Sequence, residues 1–136
     1  MSVFVIDNSV VSGWLLQNQA TAYSDAVATL LQTRRAVAPL LLRMEYTNVL
    51  RTACKRQKIV AEQAYEMLAM LGELPIDVDT SVCPAAQLLD LTLRYGLTAY
   101  DAVYLDLGLR KGAPIATQDV DLANAARAAG LGVLTP

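Results

Sequence analysis

The sequence predicts an α/β fold in which a short central parallel sheet is flanked by about seven helices. Three observations predict it. Short apolar runs alternate with segments of helical periodicity, each connection is long enough for a crossover, and no repeat, low-complexity tract or linker interrupts the 136 residues. Such alternation gives a parallel sheet covered on both faces. We expect one domain over residues 1–136, large enough to bury a proper core.

Five short runs are the predicted strands. The first, Val3 to Ile6, is rich in β-branched residues, which is typical of a buried strand. Pro39 closes the second run, because proline cannot donate to a sheet ladder. The predicted strands are residues 3–6, 36–38, 76–78, 114–117 and 133–134.

Seven segments carry the signals of helices. Thr98 and Asp101 resemble a capping box with Asp in place of Glu. The helix that they open is apolar almost all round, so we expect it in the middle of the domain. The predicted helices are residues 10–15, 21–35, 42–58, 61–71, 82–95, 98–111 and 119–129.

The chain contains no histidine. This excludes histidine-based acid–base catalysis, Ser-His-Asp and Cys-His triads, and histidine metal ligands. Any chemistry must therefore use carboxylates, hydroxyls, lysine, arginine or a bound hard cation. The net charge of −2 argues against a generally basic nucleic-acid binder, although it leaves room for a local basic patch.

Two further features bear on where the protein works. Cys54 and Cys83 fit neither a zinc spacing nor a disulfide framework, and both lie in apolar, helix-like contexts, so we expect reduced core thiols. No apolar run approaches the ~18 residues of a membrane span, and residues 1–7 lack the pattern of a signal peptide. We expect a cytoplasmic protein with no membrane segment.

Four acidic residues are predicted to meet at one edge of the sheet. Ligands of open parallel sheets bind at the carboxyl ends of the strands. Asp7 directly follows the first strand, and Asp119 follows the strand 114–117 by two residues. Glu45 and Asp101 lie early in helices that start near the same edge.

Each of these acids also has an ordinary structural explanation. Acidic side chains cap helix N-termini and stabilise the positive end of the helix dipole. Together, however, four carboxylates would repel one another by about 1–4 kcal/mol per close pair. A divalent cation relieves such repulsion, and oxygen ligands without His or Cys select Mg²⁺ or Mn²⁺.

The four acids lie in four segments that together resemble a known family. Residues 4–10, 43–50, 98–105 and 116–122 are similar to the successive motifs of PIN-domain ribonucleases, specifically the VapC-type toxins of toxin–antitoxin pairs. The segments occur in the family's order with similar spacing, and they include the signatures Ala-Tyr-Asp-Ala and Ala-Thr-x-Asp. The resemblance covers essentially the whole chain.

The resemblance implies an endoribonuclease in which one or two Mg²⁺ or Mn²⁺ ions activate water to cleave RNA, leaving a 5′-phosphate and a 3′-hydroxyl. Asp7 and Asp101 are the expected direct ligands, and Glu45 and Asp119 complete the site or position water. It also implies a homodimer and a small cognate antitoxin that covers the pocket. The supporting residues would be Asn8 and Thr117.

Several residues have a less certain assignment. Asp121 is a further candidate acid, although its place after Asp119 is typical of the first turn of a helix. Ser9 is either a partner of a metal-bound water or a helix cap. Asp106 is excluded, because five residues turn a helix by about 140° from Asp101.

A set of cations offers a possible RNA contact. Arg51, Lys55 and Lys58, with Arg56 nearby, lie opposite the apolar stripe of their helix. They could bind phosphates, but a charged stripe of this kind is also typical of a solvated helix face.

Two other functions compete with a nuclease. A PIN-like module could act only by binding a partner protein or RNA, which loss of a pocket acid would indicate; all four are present. An aspartyl-phosphate enzyme or receiver domain would use Asp7 as a nucleophile. Such proteins need a second acid beside or two residues after the first, where this chain has Asn8 and Ser9.

Overall fold

A computed structural model describes residues 3–136 and contains one parallel sheet surrounded by helices. Met1 and Ser2, which belong to the predicted domain and to the segment tested for a signal peptide, lie outside the described residues. The strands are β1 (Phe4–Ile6), β2 (Ala36–Pro39), β3 (Ile76–Asp79) and β4 (Ile115–Ala116). The helices are α1 (Asn8–Leu15), α2 (Ala22–Leu30), α3 (Leu41–Lys55), α4 (Ala61–Glu73), α5 (Ala85–Tyr95), α6 (Ala99–Lys111) and α7 (Val120–Ala128), with a 3-10 turn at Gln17–Gln19.

The order of the strands is β3-β2-β1-β4, and every pair is parallel. Val5 is paired with Val37 on one side and Ile115 on the other, which makes β1 central. All three β1 side chains are fully buried, as expected for a strand covered on both faces. The order confirms the α/β class and makes β1 and β4 neighbours, so the residues that follow them meet at one edge.

Helix α6 lies against this sheet, in contact with β1, β2 and β4. Gly108 permits the approach, because an added Cβ would lie 2.9 Å from Leu131 and 3.2 Å from Ile115. The predicted central position is therefore correct for most of the helix. Tyr100 and Leu109 nevertheless remain exposed, so α6 is not covered all round.

Several predicted boundaries differ from the structure. The helix predicted for residues 21–35 ends at Leu30, and the chain then turns back towards β2. The helix predicted from residue 82 starts only at Ala85, because a residue before proline avoids the α region. Cys83 therefore lies in the loop before Pro84 rather than in a helix, and neither cysteine is fully buried.

The fifth predicted strand is reduced to one isolated bridge between Val133 and Ile115. Gly130 and Gly132 precede it with positive φ angles of 81° and 78°, so the chain bends sharply before it reaches the sheet. Within residues 3–136 no helix combines the length and apolar character needed to cross a membrane.

Candidate active site

Asp7 is the buried centre of the candidate site. Its backbone N–H donates to the Ala116 carbonyl, so the residue extends the β1–β4 ladder before its side chain caps α1. Only 4% of Asp7 is exposed. Burial raises its pKa to about 6, although hydrogen bonds from Ser9 and Thr117 act in the opposite direction. A carboxylate at this depth is costly unless a positive charge compensates it.

Hydroxyl groups hold both oxygens of Asp7. The Thr117 hydroxyl donates to Oδ2 at 2.6 Å, and the Ser9 hydroxyl donates to Oδ1 at 2.6 Å. The Ser9 hydroxyl also accepts from the Gln118 N–H at 2.8 Å. These bonds connect the start of α1 to the loop after β4 and fix the orientation of the Asp7 carboxylate.

The same loop places Asp119 beside α6. Asp119 caps α7 by accepting from the Leu122 N–H at 3.1 Å, and its own N–H donates to the Thr117 hydroxyl at 3.0 Å. After burial, the Asp119 carboxyl is the main reason that the pKa of Asp101 is raised. Neighbouring carboxyls of this kind favour a shared proton or a cation between them.

The three other predicted site acids all affect the pKa of Asp101. It lies in the first turn of α6, where the Thr98 hydroxyl accepts from its backbone N–H. Burial raises the pKa of Asp101 to about 6, and the charges of Asp119, Asp7 and Glu45 add to the increase. The structure thus brings the four predicted acids into one electrostatic cluster.

Glu45 enters this cluster from α3 through a partner that the sequence did not reveal. The Tyr104 hydroxyl donates to Glu45 Oε1. Tyr104 is 2% exposed, and burial followed by the bond to Glu45 raises its pKa. Burial also raises the pKa of Glu45. Tyr104 lies one turn after Asp101, and a buried tyrosine usually finds a partner for its hydroxyl; that rule could have identified it.

The residues of the cluster provide the type of ligand atom that a hard metal ion needs, but they do not enclose an ion. The donor set is entirely oxygen, as Mg²⁺ and Mn²⁺ require, and burial, with neighbouring carboxyls adding to it, raises the pKa values of Asp7 and Asp101. In the described part of the chain, however, no three Asp, Glu or Cys side chains lie close enough to enclose an ion. Mutual repulsion is sufficient reason for carboxylates to stand apart.

Asn8 adds a further oxygen next to Asp7. Its Oδ1 atom is buried and has no hydrogen-bond partner within residues 3–136. Leaving a buried acceptor unsatisfied costs about 1–3 kcal/mol, so such an atom is a candidate to accept from a bound water or to face a cation. Thr117 contacts Asp7 directly, whereas the supporting role of Asn8 stays a prediction.

Other candidates stand apart from the cluster. Asp121 is exposed in the first turn of α7. Asp106 is buried elsewhere, where it accepts from Gln87 at 2.7 Å and from Arg110 at 3.0 Å. The cations Arg51, Lys55 and Lys58 are exposed on and after α3.

Comparisons with known proteins identify the family of this chain. The family model of the PIN domain matches residues 4–128. The chain is 33% identical over 127 residues to Ribonuclease VapC1 of Mycobacterium tuberculosis, in strains CDC 1551 / Oshkosh and ATCC 25618 / H37Rv, with 92% of each chain covered. The crystal structure of PAE2754 from Pyrobaculum aerophilum has a TM-score of 0.69 at 19% identity, covering 91% of this chain and 79% of that one. This structural likeness supports the fold alone. The family model and the relatives establish that the chain belongs to the PIN-domain family and is of the VapC type.

Proposed function

We propose that this protein is a divalent-metal-dependent endoribonuclease and the toxin of a toxin–antitoxin pair. The observation that carries the proposal is the cluster of four carboxyls, in which burial and the charges of the three other acids raise the pKa of Asp101. A fold gains no stability from such repulsion, so a ligand of opposite charge is the natural reason to maintain it. The likeness to Ribonuclease VapC1 supports RNA as the substrate.

Asp7 and Asp101 are the proposed direct ligands of one or two Mg²⁺ or Mn²⁺ ions. Glu45 and Asp119 complete the site or position a water, with Asn8 beside them. A bound ion of this class lowers the pKa of a coordinated water and offsets charge on the leaving oxygen of a phosphodiester.

The chain's own residues supply orientation. Ser9 and Thr117 fix the two oxygens of Asp7, so that carboxylate cannot rotate away from the cluster. Tyr104 holds Glu45 in the same way from the other side. Fixing the groups before substrate arrives reduces the ordering needed at the moment of reaction.

The toxin assignment adds proposed partners and location. The likeness to a VapC protein supports a cognate antitoxin that covers the acids, for example by presenting an arginine to them, as carboxylates bind guanidinium groups strongly. We propose a homodimer in the cytoplasm on the same basis.

The alternative is a catalytically silent PIN-like module that binds a partner protein or RNA. Loss of one site acid would favour it, yet Asp7, Glu45, Asp101 and Asp119 are all present. Activity of the purified protein separates the two functions.

The test is cleavage of total cellular RNA by purified protein with Mg²⁺ or Mn²⁺, with and without EDTA. We expect cleavage that EDTA abolishes and that Asp7→Asn and Asp101→Asn each reduce at least 100-fold. Asp90→Asn, which changes an exposed acid on α5, is the matched control and should cleave like wild type.

Cleavage that survives both site substitutions would overturn the assignment of the site. Absence of any metal-dependent cleavage, with folded protein, would support the silent module instead. Cleavage by an Asp121→Asn variant at the wild-type rate is expected, since that side chain is exposed on α7.

A further inference from the structure

A groove with both polar and apolar walls runs along α3. It has a volume of about 280 Å³ and lies between α3 and the turn Gln17–Gln19. Its floor includes the apolar side chains Leu16 and Val49. Its polar walls are amides, a hydroxyl and two cations: Asn18, Gln19, Asn48, Thr52, Arg56 and Lys58.

Three groove residues lie on the same face of α3 as Glu45. Asn48, Thr52 and Arg56 follow Glu45 by three, seven and eleven positions. At 100° per residue these positions lie on one side of the helix. Eleven residues rise by about 16 Å, so Arg56 lies about that far from Glu45 along the helix axis.

The turn after α3 directs Lys58 towards the groove. Gln57 has a φ of 59°, a left-handed conformation that usually belongs to glycine at this position after a helix. The Lys58 N–H then donates back to the Ala53 carbonyl at 2.9 Å. This conformation costs a non-glycine residue about 1 kcal/mol. With the chain in this turn, Arg56 and Lys58 both line the groove.

These two cations differ from Arg35 and Arg110, which form ion pairs, and they share this property with several other basic side chains. Arg35 pairs with Asp77, and Arg110 pairs with Asp79 and Asp106. Within residues 3–136, no ion pair joins Arg56 or Lys58 to an acid. Arg51 faces a different groove, between α3 and α4. The basic stripe predicted from the sequence is therefore divided between two sides of α3.

The chemistry of the groove matches single-stranded RNA. Cations bind phosphates, and amide side chains donate to and accept from the exposed edges of unpaired bases. Sites for protein partners are instead centred on buried aromatic and apolar anchors, and no aromatic side chain lines this groove.

We infer that this groove holds the RNA strand next to the cleavage point, with Arg56 and Lys58 contacting its phosphates. The inference rests on the proposed ribonuclease function. It adds a binding surface for the RNA strand that extends along α3 from Glu45 towards Arg56. At the 3.4 Å rise of a stacked strand, the distance from Glu45 to Arg56 corresponds to about five nucleotides, and an extended strand covers it with fewer. A single nucleotide cannot occupy both places.

The experiment measures binding of a fluorescein-labelled single-stranded RNA 12-mer of mixed sequence by anisotropy, over a range of salt concentrations. All variants carry Asp101→Asn, which prevents cleavage during the measurement. The double variant Arg56→Ala/Lys58→Ala should weaken binding at least 10-fold. Loss of two phosphate contacts should also reduce the slope of log K against log salt by about 1.4.

Two controls distinguish RNA binding along the groove from general charge attraction. Arg51→Ala/Lys55→Ala removes the same charge from α3 outside the groove lining and should change binding less than 3-fold. A labelled mononucleotide is too short to reach the cations from the acids, so it should bind the groove variant and its parent equally if it occupies the acids.

Equal weakening by the two double variants would overturn the inference, because charge alone would then explain binding. Unchanged 12-mer binding by the groove variant would also overturn it and would favour a protein-docking surface. Neither result affects metal-dependent cleavage by wild type, so failure of the inference is distinguishable from failure of the proposed function.

Discussion

The raised pKa of Asp101 reflects the unfavourable electrostatic free energy of the site. Its carboxyl is half-buried and faces three other acids, so ionising it in the folded protein is unfavourable. The unfolded chain separates these charges and restores a pKa near 3.8. The cost of keeping the cluster therefore appears as a dependence of stability on pH.

We predict that Asp101→Asn stabilises the metal-free protein at neutral pH. Because the folded pKa of about 6 lies above the unfolded value of 3.8, the folded state binds the proton more tightly. The penalty is absent below about pH 4, grows as pH rises between these values and is complete above about pH 6. The full difference corresponds to at most about 3 kcal/mol, and solvent screening of a partly exposed group should reduce the gain to about 1 kcal/mol.

Urea denaturation in EDTA at pH 4 and pH 7.5 measures this effect. The gain for Asp101→Asn should be present at pH 7.5 and small at pH 4. Asp90→Asn, on an exposed part of α5, is the control without such neighbours. A neutral-pH loss of stability in Asp101→Asn would contradict the electrostatic account of the cluster.

The residues that the sequence could predict are those whose position follows from the strands. Asp7 and Asp119 come directly after β1 and β4, so sheet topology alone brings them together. Glu45 could not be named as the partner of Tyr104 in the same way, because the bond joins side chains 59 positions apart on α3 and α6. The division of Arg51 from Arg56 and Lys58 likewise depends on which helices lie on each side of α3.

At the scale of elements, close contacts between helices depend on small residues. A Cβ on Gly13 would lie 2.5 Å from Ser24 Oγ and 2.8 Å from Ser24 Cβ, so α1 and α2 approach through this glycine. Ser24 cannot move freely, because its hydroxyl accepts from the Thr21 N–H at 2.9 Å as part of the α2 capping box. The start of α2 and the packing of α1 are therefore coupled.

We predict that Gly13→Ala destabilises the protein although alanine favours helices. Overpacking costs about 1–3 kcal/mol, which exceeds the gain of up to about 1 kcal/mol in helix propensity. Gly72 is the matched control, because it lies in α4 with no atom within 4 Å of an added Cβ. Gly72→Ala should raise the free energy of unfolding by about 0.5–1 kcal/mol.

The midpoints of thermal unfolding of the two variants should thus move in opposite directions from wild type. A stabilised Gly13→Ala variant would show that α1 and α2 can separate without cost. It would then follow that the orientation of Asp7 at the start of α1 does not depend on this contact.

The element boundaries show where sequence periodicity fails to predict secondary structure. Apolar spacing located β1–β4 and all seven helices within a few residues, because a buried face imposes its period on the sequence. It failed at residues 31–35 and 82–84, where the chain is not helical. It also failed at residues 133–134, where only one bridge forms because the preceding glycines bend the chain.

At the scale of the whole molecule, the fold brings together acids that are up to 112 positions apart in the sequence. The order β3-β2-β1-β4 places the ends of β1 and β4 side by side, and α6 crosses the sheet so that its first turn faces them. Glu45 lies on α3, the helix that follows β2 in the chain. The cluster therefore exists only in the folded chain, and an ion that binds it should bind the folded state selectively.

Binding of Mn²⁺ to the metal-free protein, followed by the loss of the free-ion signal in electron paramagnetic resonance, tests the central claim directly. Wild type should bind one or two ions per chain with a dissociation constant below about 1 mM. Asp7→Asn and Asp101→Asn should each weaken binding at least 10-fold, and Asp90→Asn should bind like wild type. Absence of binding at millimolar Mn²⁺, or equal weakening by Asp90→Asn, would contradict the account that these carboxyls form a metal site.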